Sequence, residues 1–136
     1  MKANAKISSM KNCFCNSPQP YSRCCGPLIK GTIHADSAEK LMRSRYSAYV
    51  MAAVDYLIAT THISKRSDLS KKDIEQWAKT NNWQQLEIIH SDTFIVEFKA
   101  HFRDRSGKKQ IHHEMSAFVF ENDRWFYVDG VFNDDI

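Results

Sequence analysis

The chain has 136 residues, 43% hydrophobic and 12% aromatic, with a formal net charge of +3. That is enough for one domain with a sizeable core but not for two independent ones, and it excludes a charge-dominated disordered chain. The longest apolar run, Ala48 to Val54, is far short of the roughly 20 residues that cross a bilayer. Met1 to Asn12 holds no apolar stretch of a secretory signal, so the expectation is a cytoplasmic protein with no membrane partner.

Residues 1–35 are set apart from the rest. They hold every cysteine and every proline, and their charges are Lys2, Lys6, Lys11, Arg23 and Lys30 with no acidic residue, so the remainder is net acidic. Such a segment cannot build an apolar core, and something else must order it. Cys13-x-Cys15, eight residues, then Cys24-Cys25 can supply four thiolates from two tight turns to one Zn²⁺ in a closed, structural site. A reducing compartment disfavours disulfides, while redox chemistry and an iron–sulfur cluster are the alternatives. The basic surplus points to a protein or other macromolecular partner, and nucleic acid stays open, although no run of five basic residues argues for it.

Next comes a helical pattern through Leu41, Met42, Tyr46, Tyr49, Val50 and Ala53, with Asp36 as the expected N-cap and Glu39 three residues on. On the helical wheel Leu41, Met42, Ala48, Tyr49, Ala52 and Ala53 form the buried face, and Arg45 falls inside that arc while Arg43 does not. A buried guanidinium needs carboxylate or carbonyl partners. A short helix over Val54 to Thr60 and a third starting near Ser70, with Ile74, Trp77 and Ala78 on one face, complete the helical part.

From Trp83 the period becomes two, marking strands at Gln84–His90, Thr93–Arg103, Lys109–Phe120 and Trp125–Val131. Two-residue turns at Ser91-Asp92, Ser106-Gly107 and Asn122-Asp123 make consecutive antiparallel hairpins. A turn at Ser106-Gly107 pairs Phe102 with Ile111, Ala100 with His113, Phe98 with Met115 and Val96 with Ala117; the next turn pairs Val119 with Phe126 and Ala117 with Val128. One face is then apolar with His113 as its single polar member. The other carries Phe118, Phe120, Trp125 and Tyr127, a patch that a second copy of the chain, as a homodimer, or the zinc module is expected to cover. Helices first and a meander after them give an α+β fold with helices on one side of a curved sheet. Arg45, Tyr49, His62 and His113 are the candidates for a pocket inside it.

The segment from Cys13 to Pro27 resembles the SEC-C motif, a zinc-binding element that usually reads Cys-Pro-Cys-Gly-Ser-Gly before a Cys-Cys or Cys-His pair. Phe14, Asn16 and Pro18 depart from it; all four ligand positions are kept. Leu41-Met42-Arg43-Ser44-Arg45-Tyr46-Ser47-Ala48-Tyr49, Asp55-Tyr56-Leu57, Thr60-Thr61-His62 and Trp125-Phe126-Tyr127-Val128-Asp129-Gly130 resemble the YchJ-like (UPF0225) family. Met115 and Ala117 stand where that family usually has arginine. The resemblance implies a SEC-C module over residues 1–35 and an NTF2-like domain over 36–136, a cone of helices on a curved antiparallel sheet. Two functions compete: a non-enzymatic, zinc-stabilised interaction module, and a small-molecule binder or enzyme using the interior of the cone. No nucleophile–base pair, Gly-rich phosphate loop or paired-carboxylate motif is recognisable.

Overall fold

The N-terminal segment is built from turns that close on themselves. The Cys13 amide donates to the Gln19 carbonyl at 2.7 Å and the Asn16 amide to the Cys13 carbonyl at 3.0 Å. A 3-10 turn, Tyr21–Arg23, leads into a short helix α1, Cys25–Lys30. The computed structural model describes residues 12–132, so Lys2, Lys6 and Lys11 of the basic segment lie outside the described residues.

Helix α2, Ala38–Met51, starts at Ser37 and not at Asp36: the Ser37 hydroxyl accepts the Lys40 amide at 3.0 Å. Either residue type can cap, and the cap belongs to the one whose extended backbone brings its oxygen to the third amide. Helices α3, Val54–Ala59, α4, Ile63–Arg66, and α5, Lys71–Thr80, follow. Ser70 caps α5 as its sequence predicts, accepting the Asp73 amide at 3.2 Å. Trp77 of α5 packs edge-on against Trp83 and Phe102.

The sheet is a meander of β1, Asn82–Ser91, β2, Ile95–Arg103, β3, Lys109–Glu121, and β4, Arg124–Phe132, all antiparallel in that order. Asn122 and Asp123, at φ 54° and 62°, form the expected two-residue turn, and Val119 pairs with Phe126 as its position predicts. A bulge at Ala117/Phe118 then moves the pairing on, so Ala117 faces Asp129 and not Val128.

The β2–β3 register differs by one residue from the sequence expectation. Phe102 pairs with Gln110, Ala100 with His112, Phe98 with Glu114 and Val96 with Ser116. Asp104 is the cause. Its carboxylate accepts the Ser106 amide at 2.9 Å and the Lys108 amide at 3.0 Å, and its amide donates to the Lys108 carbonyl at 2.9 Å. Gly107, at φ 86°, completes a loop with an odd residue count between Arg103 and Lys109, where a two-residue turn was expected. A one-residue slip exchanges the faces of a strand. His112, Glu114 and Ser116 therefore face the helices, and His113 faces outward against Glu97 at 2.7 Å.

The same correction applies to the aromatic patch. Phe118, Phe120, Trp125 and Tyr127 do share a face through the pairs Phe118–Tyr127 and Phe120–Trp125. That face is the one the helices cover. Phe118 is 2% exposed, and Trp125 and Tyr127 pack on a buried cluster that also holds the four cysteines; Phe120 stays 53% exposed. Cover thus comes largely from within the chain.

The cluster runs from the cysteines through Leu41, Met42 and Tyr46 of α2 to Leu86, Val96, Phe98 and Ala100 of the sheet. Helix α2 lies between the N-terminal element and the sheet, and Ser44, Arg45 and Ser47 are buried along with its apolar residues, while Tyr49, Ala52 and Ala53 are only half-buried. A helix enclosed on two sides does not display one clean apolar stripe. At the edge of the sheet the segment after α3 is hydrogen-bonded to β4, His62 amide to Tyr127 carbonyl and Tyr127 amide to Thr60 carbonyl, each at 2.8 Å.

A buried cysteine cluster and a cavity

Two features of this fold carry chemistry. In the first, the turns described above bring Cys13, Cys15, Cys24 and Cys25 together so that all four sulfurs lie within 4.8 Å of one another. A tetrahedral metal with metal–sulfur bonds near 2.3 Å sets its sulfurs about 3.8 Å apart; Cys15 Sγ and Cys24 Sγ are 3.6 Å apart, and Cys24 Sγ and Cys25 Sγ 3.9 Å. These spacings fit a shared ion and are far from a disulfide bond of about 2.05 Å. All four are buried, which leaves no open position for water or substrate.

Outer contacts complete the cluster. The Ser17 hydroxyl lies 3.1 Å from Cys24 Sγ and the Ser47 hydroxyl 3.6 Å from Cys13 Sγ, placed to donate to thiolates. Asn16 occupies the left-handed region, φ 67°, and its Oδ1 accepts the Leu86 amide at 2.7 Å, so the residue standing for the motif's usual glycine also ties the turn to β1. Arg43 donates through Nη1 to the Cys15 carbonyl at 2.7 Å and through Nε to Glu39 at 2.9 Å. The wheel left Arg43 outside the core face; the cysteine element covers the side it occupies.

The second feature is a cavity of about 410 Å³ between α2, α5 and the inner face of the sheet. Arg45 and Tyr49 line it, as their sequence positions suggest; His62 and His113 do not. His62 lies beside β4 with Glu121 and Ser64, and its ring packs on Phe126. The polar residues that do reach the cavity from the sheet are His112, Glu114, Ser116, Tyr127 and Asp129, of which the first three belong to β3. The β3 residues were hidden by the register slip, and the signal that reveals them is Asp104 two residues before Ser106, the start of a side-chain-closed loop.

Glu114 is 5% exposed and accepts three hydrogen bonds: from His112 Nε2 at 2.8 Å, Ser116 Oγ at 2.7 Å and Tyr127 OH at 2.8 Å. Burial alone raises a carboxyl pKa, but the donors outweigh it and hold Glu114 below its ordinary value. Burial and the neighbouring carboxylate push the Tyr127 phenol up. Gly130 makes room for this carboxylate, since a Cβ there would overlap Glu114 Oε2. Arg45, 6% exposed, donates through Nη1 to the Leu57 carbonyl at 2.9 Å and to the hydroxyls of Thr60 and Thr61, and stands 4.5 Å above the Tyr127 ring. Cation, ring and carboxylate form one connected stack under a largely aromatic cavity.

The family model of the YchJ middle NTF2-like domain matches residues 37–130. A UPF0225 protein of Geobacter sulfurreducens is 39% identical over 125 residues, covering 87% of this chain and 77% of that one. One of Haemophilus influenzae is 38% identical over 126 residues, covering 89% and 78%. The solution structure of a SEC-C motif containing protein from Rhodopseudomonas palustris superposes with TM-score 0.83 at 36% identity, over 89% of this chain and 98% of that one. A crystal structure of a SEC-C motif containing protein from Psychrobacter arcticus gives TM-score 0.78 at 34% identity, over 93% and 85%. The pattern of cysteines, helices and meander read from the residues is thus that of its relatives, and the chain belongs to the YchJ-like UPF0225 family, an NTF2-like domain with a SEC-C-type cysteine cluster at its N-terminus.

Proposed function

We propose that the protein is a zinc-stabilised small-molecule-binding protein, its ligand held in the cavity between α2 and the sheet. The observation that carries this reading is Glu114, a buried carboxylate supplied with three donors and facing a cavity with ring-bearing walls. Packing alone would fill such a position with an aliphatic residue, because burying an ionised group is costly even when it is well bonded. The volume is in the range of small-molecule sites. The ligand is an apolar, ring-sized molecule with a polar group directed at the floor of the cavity.

The metal is zinc and its role is structural, as four buried thiolates with no open position support. A macromolecular partner for the N-terminal element, expected from its charge, has less geometry behind it: its cysteines and Leu28 are buried, and three of its five cations lie outside the described residues.

Titration of ¹⁵N-labelled protein with 2-naphthol tests the cavity. Saturable shifts are expected at the indole N–H of Trp77 and Trp83, which line it, and not at Trp125, which does not. No saturable shift at millimolar probe, or shifts confined to Trp125, would overturn the reading. Elemental analysis is expected to find one zinc per chain, and iron or no metal in folded protein would overturn the assignment of the ion.

A further inference from the structure

A second cleft, of about 310 Å³, opens where the N-terminal element meets the rest of the chain. Its walls come from α1 and the segment after it, from α3 and from the start of β4. It shares no lining residue with the first cavity: Leu57 and Thr61 line that one, Tyr56 and Thr60 this one. Clefts between separately built units are where small ligands are often held, and this volume lies at the lower end of such sites. Ile29, Ile33, Leu41, Ala59 and Trp125 give the cleft an apolar lining. Ile33 nevertheless stays 51% exposed, and the rings of Phe94 and Phe120 pack on that of Trp125 at 5.6 and 5.3 Å. The Trp125 indole N–H has no acceptor among the described residues, where no buried side-chain nitrogen lacks a partner, so it is open to solvent.

The polar groups of this cleft are unbalanced once their bonds are counted. Asp55, its one carboxylate, is matched by Lys71 at 2.9 Å. The Tyr56 hydroxyl is bonded to Ser44 at 2.6 Å, and the Thr60 hydroxyl donates to the Tyr56 carbonyl and accepts from Arg45, each at 2.8 Å. Arg124 is exposed and forms no ion pair among the described residues; Glu121, its neighbour across the hairpin, lies against His62 Nε2 at 3.1 Å instead. His34, also exposed, is the remaining titratable group. A spare guanidinium beside an apolar wall, with the acid already matched, is complementary to an apolar anion. We infer that this cleft binds a small organic acid, its ring or chain against Ile33 and Trp125 and its carboxylate on Arg124. The site is separate from the first cavity and does not rest on that cavity holding a ligand.

The test titrates the zinc-loaded full chain with 2-naphthoate and follows the indole N–H signals in ¹⁵N spectra. A saturable shift is expected at Trp125. The neutral 2-naphthol, with the same ring system, should leave that signal in place over the same range. Arg124→Gln should weaken 2-naphthoate binding about tenfold or more, as the loss of a charge-assisted bond implies. Ile33→Asp, at an exposed position, should abolish saturation at Trp125 by putting a like charge into the apolar wall. Unchanged Trp77 and Trp83 signals in the free variants show that both are folded, and in the titration those two signals report the first cavity separately. No saturable shift at Trp125, or shifts at Trp77 and Trp83 alone, would overturn the site. Equal affinity for 2-naphthoate and 2-naphthol at Trp125, or unchanged affinity in Arg124→Gln, would overturn the assignment of an acid to it.

Discussion

Gly130 is the residue whose replacement the structure constrains most tightly. Its missing side chain is the space that Glu114 fills, and the carboxylate cannot step aside without leaving Ser116, Tyr127 or His112 unpaired. Gly130→Ala is expected to destabilise by about 2 kcal/mol, the cost of overpacking together with a strained polar network. Chemical denaturation measures it, and a change below about 0.5 kcal/mol would show that Glu114 is less firmly held than its bonds imply. Arg45→Met presents a contrasting case. Methionine keeps the apolar stem and leaves the Leu57 carbonyl its bond from Thr61, but it removes the guanidinium's bonds to Leu57, Thr60 and Thr61 and the cation above the Tyr127 ring, so a loss of about 1–3 kcal/mol is expected in the same measurement. Arg45 was legible in the sequence because a charge on an apolar arc must be bonded. Arg43 was not, since nothing in a helical wheel says that a second element will cover the other side.

Among the elements, the N-terminal one would depend most on an ion held by the cysteine cluster. It has two turns and a six-residue helix, α1, too short to persist alone. Its cysteines nevertheless belong to the same buried cluster as Leu41, Phe98 and Phe118. Stripping the metal should therefore loosen α2 and the sheet as well as the element itself. Treatment with a strong chelator is expected to lower Tm by about 10 °C or more, as the loss of several kcal/mol implies. Arg43→Ala, by freeing the Cys15 carbonyl, should speed metal release to a chromogenic chelator without changing the ligand set. Unchanged release would mean that Arg43 does not hold the turn. The cysteine cluster could be read from spacing alone, because all four cysteines fall within thirteen positions of a segment with no other means of order. The Asn122-Asp123 hairpin was equally plain, since both residues tolerate positive φ. The β2–β3 connection was not: Ser106-Gly107 looks like a turn by composition, and only the reach of the Asp104 side chain to two later amides shows that the loop starts earlier.

At the scale of the whole molecule, stability should depend on pH through Glu114. Its folded pKa lies below its ordinary value of 4.5, so the folded protein binds that proton less readily than the unfolded chain. The associated stability is complete above about pH 4.5 and is lost as pH falls through the depressed value. Asp104, held at about 2 by bonds from Ser106 and Gln110, adds to the same acid limb. Thermal melts from pH 7 to pH 3 should show a steeper decline in wild type than in Glu114→Gln, and parallel curves would mean that Glu114 is not ionised in the folded state. Helix α2 lies against both sites, touching the cysteine turn through Arg43 and the cavity through Arg45.

The odd count of the Asp104–Lys108 loop also bears on how this fold can change over evolutionary time. An insertion or deletion of one residue there would reverse β3, turning His112, Glu114 and Ser116 to solvent and Ile111, His113 and Met115 to the helices. Changes of two residues would leave both faces in place. Loop length in this lineage is thus expected to drift in even steps, and any relative with an odd-step change should carry the polar pattern of its third strand displaced by one position.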